Sequence, residues 1–292
     1  MNRQIASELP QTPRLSDAPL AEQIEQVEAR VRAQPTTAAH RWALFQLLCI
    51  TGEWSRAIQQ LQTWARLDPD QTHTAQVFRD LIRAERWRAK VMCGQERPGF
   101  VLEPALWVKE LIGALRLSAD GQSQLADEAR KKALDAAPLT AVRTPQGVAG
   151  WIADSDSRFG PVCEIVTAGH YRWMPFSDLA AWRMSRPTNL IDLVWAPCVL
   201  TLNDDSIVRG FMPARYPGSD TATDALRLGR ETVWHESGRT GVIALGQKTW
   251  TTEQGDFGLF DFALFGPPDT AFGTPEKWVA EHGNATGEPA DD

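Results

Sequence analysis

The chain has 292 residues, 43% hydrophobic and 23% charged, a balance that fits an ordinary globular protein with apolar material for one large domain or two. It lacks a run of 18 apolar residues that could span a membrane. Its opening stretch, MNRQIASELPQTPRL, has neither the apolar core nor the cleavage site of a secretory signal. The net charge of −7 is uneven: residues 1–140 hold 18 Lys+Arg against 17 Asp+Glu, and residues 141–292 hold 12 against 20. An acidic second half argues against nucleic acid as a partner, because phosphate binding needs a concentrated basic face.

Residues 1–15 carry no periodic pattern and are expected to be disordered. From there, LAEQIEQVEARVRA places Leu20, Ile24, Val27 and Val31 at helical spacing. Prolines then recur at Pro35, Pro69, Pro104 and Pro138, separated by 34, 35 and 34 residues, the period of tetratricopeptide helix pairs. In the first unit Leu44 and Leu48 share a helix face, Gly52 breaks the chain, and Trp54, Ala57 and Leu61 mark a second helix that stops at Pro69. Gly121 and Ala126 repeat Gly52 and Ala57 after 69 residues. The unit between is degenerate, because its glycine, Gly94, comes late; the pattern predicts one long helix from about Thr74 to Met92. A short α-solenoid over residues 16–140 follows. Such a solenoid presents a concave face to a peptide, or its helices pack on the second half of the chain. Arg79, Arg83, Arg86 and Lys90 share one helix face, either as a docking stripe or as a solvated face offset by Asp80 and Glu85.

After Pro138 the helical period ends. TAVRTPQGVAG reads as a turn-rich linker, and short apolar pieces then alternate with Gly and Pro: VCEIVTAG, HYRWMPF, DLVWAPCVLTL, SIVRGFMPA, TGVIALGQKTWTT and FGLFDFALF. These predict a mixed or antiparallel sheet in an α+β domain over residues 141–272, with LAAWRM as a helix candidate. The acidic tail, residues 273–292, holds a possible last helix, EKWVAEHG. Four cysteines, Cys49, Cys93, Cys163 and Cys198, form no C-x-x-C pair and are expected to be buried thiols in a reducing cytoplasm.

Dense clusters of aromatics with Arg, Asp, Gly and Pro lie at residues 151–161, 189–197, 212–220 and 226–234. Asp154 and Asp156 could share one divalent cation, which would make a metal-assisted enzyme. The calcium-loop register fails, however, because Arg158 and Phe159 occupy ligand and glycine positions. Cys163 and His170 lack any activating motif, and nucleotide, zinc-protease and hydrolase signatures are absent. Arg215, Tyr216, Pro217 and Gly218, with Arg227 to Arg230, either cradle an anion or buttress loops.

Taken together, RWALFQLLCITGEW, WIADSDSRFGPVCEIV, YRWMPF, LIDLVWAP, ARYPGSD and LRLGRETVW resemble the ImpE/SciE family, also called TagJ, of type VI secretion accessory proteins. The resemblance covers about residues 31–260. It departs at Gly150, where relatives usually have an acidic residue, and at Lys248, where they tend to have Arg. The resemblance implies a cytoplasmic, non-enzymatic protein without cofactors, with a tetratricopeptide-like helical domain and a mixed domain. It also implies binding to the N-terminal helix of the small contractile-sheath subunit, near the AAA+ ATPase ClpV that disassembles the sheath. An amphipathic helix would then lie in a groove anchored by aromatics, with Trp151, Asp154, Asp156, Arg158, Trp173, Trp195, Tyr216 and Arg230 as expected contacts at the seam between domains. The opposing reading of these residues is that they fasten the two domains together.

Overall fold

The structure is a computed structural model and describes residues 18–261 and the backbone of 264–265. The expected disordered N-terminus, the acidic tail and its EKWVAEHG helix lie outside the described residues.

Among the described residues six helices come first: α1 (Leu20–Ala33), α2 (Ala38–Ile50), α3 (Trp54–Leu67), α4 (Thr72–Met92), α5 (Leu106–Ala119) and α6 (Ser123–Ala136). Gly52, Gly94 and Gly121 end α2, α4 and α5 in the same way. Each has positive φ, and the amide after it reaches back five residues: Glu53 N to Leu48 O, Gln95 N to Lys90 O, and Gln122 N to Leu117 O. This is the glycine C-cap that the sequence punctuation implied. The pairs α2/α3 and α5/α6 each fill a proline-bounded unit. The middle unit has α4 alone, 21 residues long, followed by turns and a two-residue strand, β1 (Gly99–Phe100).

The remainder is a sheet domain. Strands β5 (Val162–Thr167), β6 (His170–Pro175), β7 (Leu179–Met184), β8 (Trp195–Leu202), β9 (Ile207–Pro213) and β14 (Leu264–Phe265) join β1 in a seven-stranded sheet. The order is β1-β6-β5-β9-β8-β7-β14, antiparallel except for the parallel β1–β6 pair. A smaller sheet of β13 (Gly255–Gly258), β12 (Thr249–Thr252) and β4 (Ile152–Asp154), and the hairpin of β2 (Val142–Thr144) with β3 (Gly147–Ala149), cover one of its faces.

Alternation along β5 divides the interior. Cys163 and Ile165 join Met174, Trp182 and Trp250 in the core beneath the small sheet, whereas Val162 and Val166 point to the helices. That second core is continuous with the helical one: Trp42, Phe45, Phe78 and Leu81 share it with Tyr171, Trp173, Trp195 and Phe211. The inner face of the helices is therefore packed on the sheet.

Three expectations change. The linker TAVRTPQGVAG is the β2–β3 hairpin, because Val142 and Ala149 are drawn fully into the core. LAAWRM is strand β7 and not a helix. Cys93 is exposed, while Cys49, Cys163 and Cys198 are buried thiols, and burial pushes the Cys198 thiol up to about 12. Among the described residues, no helix is long and apolar enough to cross a membrane.

Candidate functional site

The turn after β4 gathers four of the expected site residues. Asp156 N donates to Asp154 Oδ1 (2.9 Å), and Arg158 Nε donates to Asp156 Oδ1 (2.9 Å). The amides of Arg158 and Ala244 also donate to Asp156, each at 2.9 Å. Tyr216 Oη donates to Asp154 Oδ1 (2.7 Å) and accepts from Thr249 N (3.0 Å). The other Asp154 oxygen pairs with Lys248 Nζ, which also meets Glu164 Oε2 at 2.7 Å. The ammonium stands 3.9 Å from the centre of the Phe159 ring and 4.9 Å from that of Tyr216, so aromatic faces supplement the two carboxylates in replacing its water.

Glu164 carries the network into the helices. Arg88 of α4 grips it with Nε on Oε1 (2.6 Å) and Nη2 on Oε2 (2.7 Å). Tyr171 Oη donates to the same Oε1 (2.6 Å) and accepts from Trp173 Nε1 (2.6 Å). Burial raises the Glu164 carboxyl, but Arg88 and Lys248 outweigh it and hold the group at about 2. Burial pushes Asp154 up to about 6 against the pull of Lys248.

The sequence missed Arg88, Glu164, Lys248 and Tyr171. A signal existed for Glu164, a charge within an apolar strand in phase with Val162 and Val166, and so obliged to find a buried cation.

The expected contacts are redistributed. Trp173 and Trp195, expected as partner contacts, are each only 1% exposed. Both belong to the helix–sheet core, where Trp195 Nε1 donates to Glu85 Oε1 (3.1 Å). Asp154, Asp156 and Tyr216 are also buried, and Arg158 is half-buried on Asp156. Only Trp151, half-buried, and Arg230, exposed, stay free of this network. Asp154 and Asp156 are taken up by separate partners, not by one open point as the metal reading required. Among the described residues no three His, Cys, Asp or Glu side chains group to hold a metal.

Arg215 buttresses a helix and does not cradle an anion. It donates to the carbonyls of Ile50 (2.8 Å) and Cys49 (3.3 Å) at the C-terminus of α2, and to that of Arg227. There a cation meets the negative end of the helix dipole. Asp127 of α6 binds the tip of the hairpin formed by β10 (Thr232–Ser237) and β11 (Gly241–Gly246), accepting from Arg239 N (2.9 Å) and Thr240 N (3.1 Å). The Arg239 amide, then the Thr240 hydroxyl, lower its carboxyl to about 2.

The basic stripe on α4 is dispersed: Arg83 pairs with Asp80 (3.1 Å), Arg86 donates to Ser55 Oγ (3.1 Å), and Lys90 lies over Trp87. Glu85 turns inward to Arg88 and Trp195.

An open groove of about 510 Å³ lies elsewhere, between the C-terminal half of α4, α5 and the β1 segment. Val91, Phe100 and Ile112 supply apolar lining, with Trp87 and Gly113 on opposing helices. None of the expected site residues lines it.

A family model described as ImpE protein matches residues 147–264. The type VI secretion system accessory component TagJ of Pseudomonas aeruginosa is 38% identical over 258 residues, covering 88% of this chain and 89% of that one. A crystal structure of a Vibrio parahaemolyticus protein shares the fold at a TM-score of 0.78 and 24% identity, over 85% of this chain and 93% of that one. With this identity along nearly its whole length, the chain belongs to the ImpE/TagJ family.

Proposed function

We propose that the chain is a non-enzymatic adaptor of a type VI secretion system, acting in the cytoplasm. Its partner is the N-terminal helix of the small contractile-sheath subunit, and it works in sheath assembly or in disassembly by ClpV. The observation that carries this reading is the near full-length likeness to a named accessory component of that system. Two features of the site support it. The polar cluster around Asp154, Glu164 and Lys248 is closed and saturated with internal partners, which suits a frame better than a reaction centre. The helical half, a tetratricopeptide-like array in this reading, has its inner face packed on the sheet but leaves a partly apolar groove open beside α4 and α5, of the shape that receives an amphipathic helix. Residues 16–140 and 141–272 are its two domains. Of the seam residues, Trp151 and Arg230 stay accessible as contacts.

Calorimetric titration of the full chain with a synthetic N-terminal peptide of its own small sheath subunit tests the reading. Saturable binding with one peptide per chain is expected. The absence of heat at several temperatures, with no competition in pull-down, contradicts it.

A further inference from the structure

The hairpin of β10 and β11 stands apart from the larger sheets and has one closed edge and one open edge. On β11, the Val242 carbonyl accepts from Ser157 N (2.9 Å), the Val242 amide donates to Ser157 Oγ (2.8 Å), and the Ala244 amide donates to Asp156 Oδ2 (2.9 Å). These groups point away from β10. In an antiparallel pair, residues directly opposite each other turn their backbone groups both inward or both outward. Val242 is opposite Glu236, and Ala244 is opposite Trp234. The amides and carbonyls of Trp234 and Glu236 therefore point outward on the far edge of β10, where they find no hydrogen-bond partner among the described residues.

The side chains of that strand are equally uncovered. Residues 234–237 are all exposed. Trp234 is 44% exposed, and its indole N–H donates to Ser155 Oγ (2.9 Å), which holds the ring in place. An open edge of six residues without proline or lysine lacks the usual guards against pairing with another chain. Charge specifies which chain. Turned antiparallel about His235, a second β10 sets Trp234 opposite Glu236, with the outward backbone groups of both in register, and sets Glu231 opposite Arg239. Glu231 and Arg239 are exposed and form no ion pair among the described residues. A centre at Trp234 would instead put Glu231 opposite Ser237, and a centre at Glu236 would put two like charges directly opposite each other. The edge is complementary to itself in one register.

We infer that β10 pairs with β10 of a second copy of this chain, forming a two-fold dimer with a continuous sheet of the order β11-β10-β10-β11. On one face the two Trp234 rings become diagonal neighbours. On the other the two His235 side chains stand directly opposite, with the Cα separation of about 4.5 Å of a non-hydrogen-bonded pair. Glu231 of each copy meets Arg239 of the other at the two ends. None of these residues lines the groove beside α4, so the dimer and the adaptor reading stand or fall separately.

Sedimentation velocity of the full chain over a series of concentrations tests the proposal, and the parent is expected to show a reversible monomer–dimer equilibrium. Glu236→Pro removes one outward amide and leaves the β10–β11 hydrogen bonds in place. It should weaken the dimer at least about tenfold, with the far-UV circular dichroism of the parent. Glu231→Arg sets like charges opposite each other at both ends and should weaken the dimer by a similar factor at low salt. Glu231→Arg combined with Arg239→Glu should restore it to within about threefold of the parent. Cross-linking checks the register in a Cys93→Ser background, because Cys93 is exposed. There His235→Cys should give a disulfide-linked dimer on mild oxidation, since directly opposite Cα atoms lie within disulfide range, and Val233→Cys should not. A parent that is monomeric throughout overturns the proposal. So does a dimer that Glu236→Pro leaves within about twofold of the parent, or one that cross-links through Val233→Cys and not through His235→Cys.

Discussion

Lys248 holds two buried carboxylates at once, and its replacement separates frame from surface. Lys248→Met leaves Asp154 and Glu164 without their shared cation. It should cost about 3–5 kcal/mol of unfolding free energy, the usual result of removing one member of a buried ion pair, measured by urea denaturation. The same two carboxylates shape the response to pH in opposite directions. Asp154 titrates near 6 in the folded chain against an ordinary 3.8, so the folded state binds the extra proton and stability falls as pH rises through that window. Glu164 titrates near 2 against 4.5, so its contribution, on the order of 3 kcal/mol, is present above 4.5 and is lost as pH drops toward 2. Unfolding free energy should therefore peak on the acid side, around pH 4–5. Asp154→Asn should flatten the limb above the peak, and an unchanged limb in that variant would contradict the assignment. In the sequence, Asp154, Asp156 and Arg158 fall in one dense segment and Tyr216 in another, and all four are expected only as contacts at the seam between domains. Their partners Arg88, Glu164 and Lys248 are distant along the chain, and only the helix–sheet packing brings them together.

At the scale of elements, the two helix pairs are joined internally by the same glycine turn, but in different surroundings. Gly52 has φ +71, and an added Cβ would sit 2.2 Å from Asp220 Oδ2; Gly121 has φ +74 in open space. Gly121→Ala should cost only the left-handed backbone, about 1–2 kcal/mol. Gly52→Ala should cost more, because Asp220 must also move. Thermal unfolding of the two variants compares them, and equal losses would mean that the contact with Asp220 carries no weight. These turns were legible because glycine leaves a mark in the sequence whenever φ is positive. Strand β7 was not legible. Its pairing with β8 shifts register between Leu179 and Ala181, so Leu179, Trp182 and Met184 are the buried positions. A bulge changes the phase of alternation, and here it imitates the three-residue step of a helix face. The β2–β3 hairpin was hidden for a related reason: each strand has three residues, too few for a period to register.

At the scale of the molecule, the helical half is tied to the sheet half by polar clasps at α2 through Arg215, α4 through Arg88 and α6 through Asp127. It also shares one apolar core with the sheet. The proline period identified the helices, but it did not show that their inner face is spent on the sheet. That depends on Val162, Val166, Trp173 and Trp195 arriving from the other half of the chain. The full chain should accordingly unfold in one cooperative step, with coincident urea transitions by tryptophan fluorescence and far-UV circular dichroism. Residues 16–140 expressed alone should lack a cooperative transition. Two separated transitions in the full chain would contradict the shared core.

The central proposal is that the sheet half and its clasps form the frame, while the groove beside α4 receives the partner. Hydrogen exchange of the full chain with and without the N-terminal peptide of the small sheath subunit tests it most directly. The account predicts new protection confined to the C-terminal half of α4, residues 93–105 and α5, with the strands around Asp154 and Glu164 unchanged. Protection centred instead on residues 151–158 and 212–234, with α5 exchanging as in the free chain, would contradict it.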